Sequence, residues 1–211
     1  MLAGAAILAS GQALAQVAAT GDPSVPAEVG TDRWSLYASA LAYFPPESQD
    51  YVSPVLAADR RRLHFEGRYN YEALRTGSVW AGYNMSAGGE LACEATLMAG
   101  AVFGDTAGIA PGYRLSLRYS GLELSSEGEY LFDARDREGS FFYAWTELSW
   151  SPAEWFRTGL VGQRTRAYKT ELDIQRGLLA GFTHREWDLT VYLFNPDRDD
   201  RMVVVSLGRG F

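Results

Sequence analysis

The chain has 211 residues, enough for one domain, and no Pro/Ser-rich linker or shift of composition divides it. Its formal net charge of −7, with no basic patch beyond Arg60-Arg61-Arg62, argues against a nucleic-acid binder. A single cysteine, Cys93, excludes an intrachain disulfide framework and reads as packing on an apolar strand face.

Residues 1–15 are apolar, uncharged and Ala-rich and end in Ala13-Leu14-Ala15, the pattern of a cleaved secretory signal peptide. The basic flank that usually precedes such a segment would lie upstream of Met1. Residues 16–31 are small and polar and include Pro23 and Pro26, which predicts a disordered lead-in. No later stretch reaches the ~18 consecutive apolar residues of a membrane helix. Nearly all positive charge is arginine, since Lys169 is the only lysine.

From Trp34 onward the chain alternates apolar and polar residues in segments of about ten, the period of a strand with two unlike faces. Strands are predicted at 34–43, 51–57, 62–72, 75–86, 90–103, 109–119, 121–132, 138–150, 155–166, 171–183, 186–195 and 201–211. Twelve is the expected number, with ten as the alternative if the first two segments do not pair. Connections alternate between short turns, such as Ser120-Gly121 and His184-Arg185, and longer polar loops, such as 133–139 and 195–200. A tight turn at Ala73-Leu74 breaks that alternation.

Splitting each strand by parity separates the faces. In 62–72, Leu63, Phe65, Gly67, Tyr69 and Tyr71 oppose His64, Glu66, Arg68, Asn70 and Glu72. In 109–119, Tyr113, Leu115, Leu117 and Tyr119 oppose Arg114, Ser116 and Arg118. In 121–132, Leu122, Leu124, Tyr130 and Phe132 oppose Glu123, Ser125, Glu127 and Glu129. Trp34, Tyr119, Trp150, Phe156, Trp187 and Phe211 gather towards one rim, as interface girdles do. Arg164, Arg166 and Arg176 fall on the apolar parity, which places them above a hydrocarbon layer or calls for a bulge. The alternative fold is a β-sandwich or soluble lipocalin-like barrel. The charged face is too charged for the simple solvent surface of a thin sheet, so the pattern favours a closed antiparallel up-and-down barrel with its apolar face turned to lipid.

The signal segment, the ten-residue alternation, the loop asymmetry and a last strand with Val203, Val205, Leu207 and Phe211 on one face together resemble the outer-membrane β-barrel proteins of Gram-negative bacteria. The resemblance spans residues 32–211 and picks out no subfamily. It implies an all-β transmembrane barrel with short periplasmic turns and longer extracellular loops. Outer-membrane lipid and the barrel-assembly machinery, which reads the last strand, are the implied partners. Arg209 departs from the usual apolar or Tyr residue two before the end, and is expected to snorkel to headgroups.

Parity puts Glu66, Arg68, Glu94, Arg114, Arg118, Glu127, Glu129, Glu147 and Arg157 in the lumen. Arg114 and Arg118 are expected to pair with Glu123, Glu127 and Glu129 across their hairpin. Such a lumen is either a charged constriction for passive passage of small polar or charged solutes or a salt-bridged plug in a non-conducting structural or surface-interaction barrel. Gly100, Gly159, Gly177 and Gly181, if luminal, lean slightly towards an open path. A lipid-modifying enzyme needs a base beside a nucleophile, and neither His64 nor His184 is flanked by a nucleophile motif, so no catalytic residue is assigned. No cofactor or metal is expected: Asp197, Asp199 and Asp200 lack the Gly and Glu of a calcium loop, and Gly104–Gly108 lacks the lysine of a phosphate loop.

Overall fold

The computed structural model describes residues 32–46, 48–167 and 173–211. The expected signal peptide, the lead-in and Lys169 lie outside these residues. Twelve strands form one closed antiparallel barrel in chain order: β1 (Ser35–Phe44), β2 (Tyr51–Arg60), β3 (Leu63–Tyr69), β4 (Thr76–Ala87), β5 (Ala92–Gly104), β6 (Gly108–Tyr119), β7 (Leu122–Asp133), β8 (Phe141–Ala153), β9 (Phe156–Ala167), β10 (Asp173–His184), β11 (Trp187–Phe194) and β12 (Met202–Gly210). The first two strands pair from Ser35–Asp59 to Tyr43–Tyr51, which decides for twelve over ten. β1 closes on β12 from Tyr37–Gly210 to Phe44–Val203, so no edge strand is left.

Each strand buries alternate residues, and the rows facing outward are apolar: Leu56, Val79, Leu97, Ile109, Leu124, Leu148, Leu160, Leu178 and Leu207 are among the exposed large side chains. A soluble barrel would leave such rows in water, whereas hydrocarbon takes them without cost. At one rim β2–β3, β6–β7, β8–β9 and β10–β11 are joined by two residues each; the opposite rim carries the longer connections at 45–50, 70–75, 134–140 and 195–201. Arg61, Ser120 and Arg185 hold left-handed φ in the tight turns. Arg164 and Arg176 stand in a regular β9–β10 ladder, so no bulge resets their register; the irregularity lies between Trp150 and Ala153 on β8.

Two features differ from the sequence reading. β3 ends at Tyr69, and residues 70–75 form an inward excursion bounded by left-handed Asn70 and Arg75. Tyr71 is therefore buried inside and not turned outward. Asn70 accepts from the Arg75 amide at 2.8 Å and its own carbonyl accepts from Ser53 Oγ at 2.6 Å, which pins the excursion to β2. Second, much of the inner face is apolar. Leu41, Tyr43, Val55, Tyr71, Tyr143, Trp145, Val161, Leu179, Tyr192, Phe194, Met202 and Val204 pack into one buried cluster, and Trp80, Met98, Val102, Ala110 and Leu131 into another.

Two of the luminal glycines serve that packing. A Cβ on Gly100 would sit 2.4 Å from the Trp80 ring, and one on Gly181 would meet the Arg157 stem at 2.7 Å. At Gly159 and Gly177 the obstacles are neighbouring backbone carbonyls, at 2.1 and 2.4 Å. At Gly100 and Gly181 the lean towards an open path is thus overturned. Gly100→Val should cost about 1–3 kcal/mol by overpacking, while Gly67→Val, with open space around its Cβ, should be near neutral. Urea midpoints of the refolded barrel compare the two.

Candidate functional site

β3 presents His64, Glu66 and Arg68 inward at every second residue, and Arg68 becomes the hub of the interior. Its Nε donates to Glu66 Oε2 at 2.6 Å, and Nη1 donates to Glu129 Oε2 at 2.9 Å and lies 3.8 Å from Glu72 Oε1. The guanidinium is sandwiched between the Tyr71 and Trp80 rings, each centroid 4.3 Å away. Planar delocalised charge suits that slot as a compact ammonium would not. Glu72 is fixed in turn by Ser78 Oγ at 2.5 Å and Trp80 Nε1 at 3.3 Å.

Glu66 also pairs with Arg114 of β6, whose Nε stands 3.3 Å from Glu127 Oε2 of β7. His64 links this cluster to the short-turn side. Its Nε2 is 2.8 Å from Glu66 Oε1 and its Nδ1 2.7 Å from Asp59 Oδ1; Asp59 then accepts from Asn84, and Asn84 from Thr96, both at 2.6 Å. Both ring nitrogens of His64 are committed to carboxylates, which leaves neither to act as base for a serine.

Glu147 centres a second cluster. It accepts from Trp145 Nε1 at 2.8 Å, Tyr192 OH at 2.9 Å and Arg157 Nη1 at 2.9 Å, and Arg157 Nη2 reaches Thr190 Oγ1 at 2.9 Å. A third pair, Arg118–Glu94 at 2.6 Å, lies nearer the short-turn rim. The nine residues proposed for the lumen thus all face inward in ion pairs, divided among three groups.

The partners differ in part from the expected hairpin pairing. Arg114 meets Glu127, its register partner. Arg118 turns instead to Glu94 on β5, and Glu123 takes a bond from Ser116 Oγ at 2.8 Å. Glu129 stands opposite Gly112, which has no side chain to offer, so it reaches across the lumen to Arg68. Asp59, Trp80, Trp145 and Tyr192 were not singled out by sequence. The signal that was available is spacing: Trp80 lies two residues from Ser78, and Trp145 two from Glu147, on the same inner faces. Asp197 and Asp200 are held within their loop, by Arg176 at 2.7 Å and by Asn195 at 2.9 Å.

Accessibility grades along the axis. Glu66 and Arg68 are each 4% exposed, and Tyr192 and Phe194 at the long-loop end are fully buried. Towards the short turns, the side chains of Arg118, Glu94 and Asp59 are a quarter to a third exposed, at 25%, 28% and 31%. The interior is therefore water-accessible at its polar short-turn end and backed by packed, charged and aromatic side chains. Carboxylates outnumber guanidiniums there: Arg68, Arg114, Arg118 and Arg157 face Glu66, Glu72, Glu94, Glu123, Glu127, Glu129 and Glu147.

No protein-family model matches this chain, and no curated protein sequence does. Solved structures share the fold. The KdgM porin superposes with a TM-score of 0.61 at 11% identity, covering 83% of this chain and 99% of its own. A structure described as KdgM porin in complex with disordered oligogalacturonate gives 0.59 at 10% identity, covering 83% and 98%. The NanC porin gives 0.59 at 7% identity, covering 81% and 97%.

Removing Arg68 leaves Glu129 buried without its countercharge and Glu66 with Arg114 in place of two guanidiniums. Arg68→Ala should destabilise the barrel by about 3–5 kcal/mol, and adding Glu129→Ala should recover part of that loss. Urea unfolding of the two single variants and the double variant measures the coupling.

Proposed function

We propose that the chain is an outer-membrane barrel of a Gram-negative cell that passes small polar or charged solutes, with the Arg68 and Arg114 cluster as its selective constriction. The observation that carries this reading is a water-accessible polar vestibule leading directly onto paired charges inside a closed barrel. A barrel needing only rigidity gains little from buried ion pairs, since apolar residues of similar volume stabilise as well or better. Charges at a constriction select ions and polar solutes. The outward apolar rows, and a first segment read as a signal peptide, support export and insertion in the outer membrane. Lipid and the assembly machinery are the partners this reading requires, and it assigns no enzymatic activity.

The excess of carboxylates favours cations and neutral polar solutes. One fold neighbour is described in complex with oligogalacturonate, a polyanion. The acid-rich interior here disfavours a polyanion by like-charge repulsion, so that ligand class is not carried over.

A second reading is a non-conducting barrel, and a specific observation favours it: the interior is shut by side chains at the level of Arg68 and of Tyr192. Single-channel current in a planar bilayer separates the two. The channel reading expects small, discrete, salt-dependent steps with a cation-side reversal potential, moved towards anions by Glu127→Gln with Glu129→Gln. Silence from folded, heat-modifiable protein would favour the plug.

A further inference from the structure

The outward face changes character abruptly across β7–β10. One transverse row is Leu124–Leu148–Leu160–Leu178, four exposed leucines in register. The next row towards the long loops is Ser126–Thr146–Gly162–Arg176, and the one beyond it Gly128–Ala144–Arg164–Ile174. Two residues along a strand span about 7 Å, so the face turns from leucine to hydroxyl, glycine and arginine within one pleat. Elsewhere the band stays apolar towards the same rim, with Val79, Phe103 and Ile109 on β4–β6 and Leu193 and Val203 on β11–β12.

Gly162 is the floor of a notch in this sector. A Cβ there would meet nothing closer than the Gln175 carbonyl at 4.0 Å. Around it stand Thr146 and Arg176, its direct register partners, and Arg164 two residues along its own strand. Arg164 and Arg176 are diagonal neighbours, about 7–8 Å apart at the backbone, a like-charge arrangement that is unfavourable unless an anion lies between. Arg164 is exposed and makes no ion pair among the described residues. Arg176 is 69% exposed and holds Asp197 at 2.7 Å. Among the described residues the Asp197 carboxylate is thus the one anion at the patch, and balances one guanidinium of two. A hydroxyl chain, Tyr113 OH to Ser126 Oγ at 3.2 Å and Ser126 Oγ to Thr146 Oγ1 at 3.1 Å, ends beside the notch and adds a donor.

We infer that the Gly162 notch, flanked by Arg164, Arg176 and Thr146, binds the phosphate headgroup of a membrane lipid in the leaflet at the long-loop rim, with the acyl chains lying down over the four-leucine row. This rests on the outer-membrane reading. An arginine on a lipid-facing surface costs little only near the interface, and guanidinium pairs with phosphate through forked, charge-assisted bonds.

The test is native mass spectrometry of the refolded barrel in zwitterionic micelles with added bis-phosphorylated lipid A. Wild type should retain the lipid. Arg164→Ala with Arg176→Ala, and separately Gly162→Leu, should each weaken retention roughly tenfold, while Arg185→Ala at the opposite rim should not. Gly162→Leu fills open space, so it tests the site even if the double-arginine variant fails to fold. Dephosphorylated lipid A should lose the preference, and inorganic phosphate alone should not reproduce it. Equal retention by all variants, binding of free phosphate without acyl chains, or a protein dimer occluding the sector without lipid would overturn the assignment. Failure to float with phosphatidylcholine liposomes would instead sink the membrane reading itself.

Discussion

Closure of β1 on β12 is the constraint from which the rest follows. In hydrocarbon an unpaired backbone amide or carbonyl costs several kcal/mol, so a strand protein spans a bilayer only as a sheet without edges. Closing the sheet divides every side chain into outside and inside with no third place. The outward rows can then be mostly apolar, and the polar or bulky groups the sequence carries in the alternate rows are forced into one narrow lumen. What happens in that lumen is a packing and charge problem, and the barrel solves it differently in its two halves.

On the side of β8–β12 and β1–β2, aromatic and aliphatic residues fill the space as a soluble core would, with Trp145 edge-on to Tyr192 and Phe194 at 5.1 Å. On the side of β3–β7, charge predominates. Taking a guanidinium out of water is costly unless its donors are met, and Arg68 answers with two carboxylates, the Met98 sulfur at 3.8 Å and two aromatic rings. Small residues make these placements possible. Gly100 admits Trp80, Gly181 admits the Arg157 stem, and Gly112 leaves Glu129 free to cross the lumen. Ring, stem and glycine are one unit, so the glycines read as structural complements to large side chains and not as pore space.

The strands were legible because ten-residue alternation has no other simple source, and parity alone put His64, Glu66, Arg68 and Glu72 on one face. Parity says which face a side chain takes, however, and not which neighbour it prefers. That is why Arg118 bonding to β5 and Glu129 bonding to β3 were beyond it. The apolar plug was hidden for a different reason. In Ala40-Leu41-Ala42-Tyr43-Phe44 both rows are apolar, so no contrast marks Leu41 and Tyr43 as inner. The excursion at 70–75 was hidden because Tyr71 and Glu72 continue the alternation of β3 by composition, while the left-handed Asn70 breaks it in three dimensions.

The vestibule and the shut end impose a condition on any passage through this barrel. The wall cannot yield, because each strand is laddered to two neighbours and every inner residue of the large cluster except Tyr71 is mounted on a strand. Tyr71 and Glu72 ride on the six-residue excursion 70–75, held by Asn70 to β2 and by Arg75 to Asp105 at 2.5 Å. Arg75 and Asp105 are both largely exposed, so that tie is worth little in water. The excursion is thus tied weakly at the rim, and its inner hold is Glu72, which accepts from Ser78 and Trp80 beside Arg68. Withdrawing Tyr71 would take one ring from Arg68 without breaking a single strand-to-strand bond, while Glu66, Glu129 and Trp80 would still hold the guanidinium.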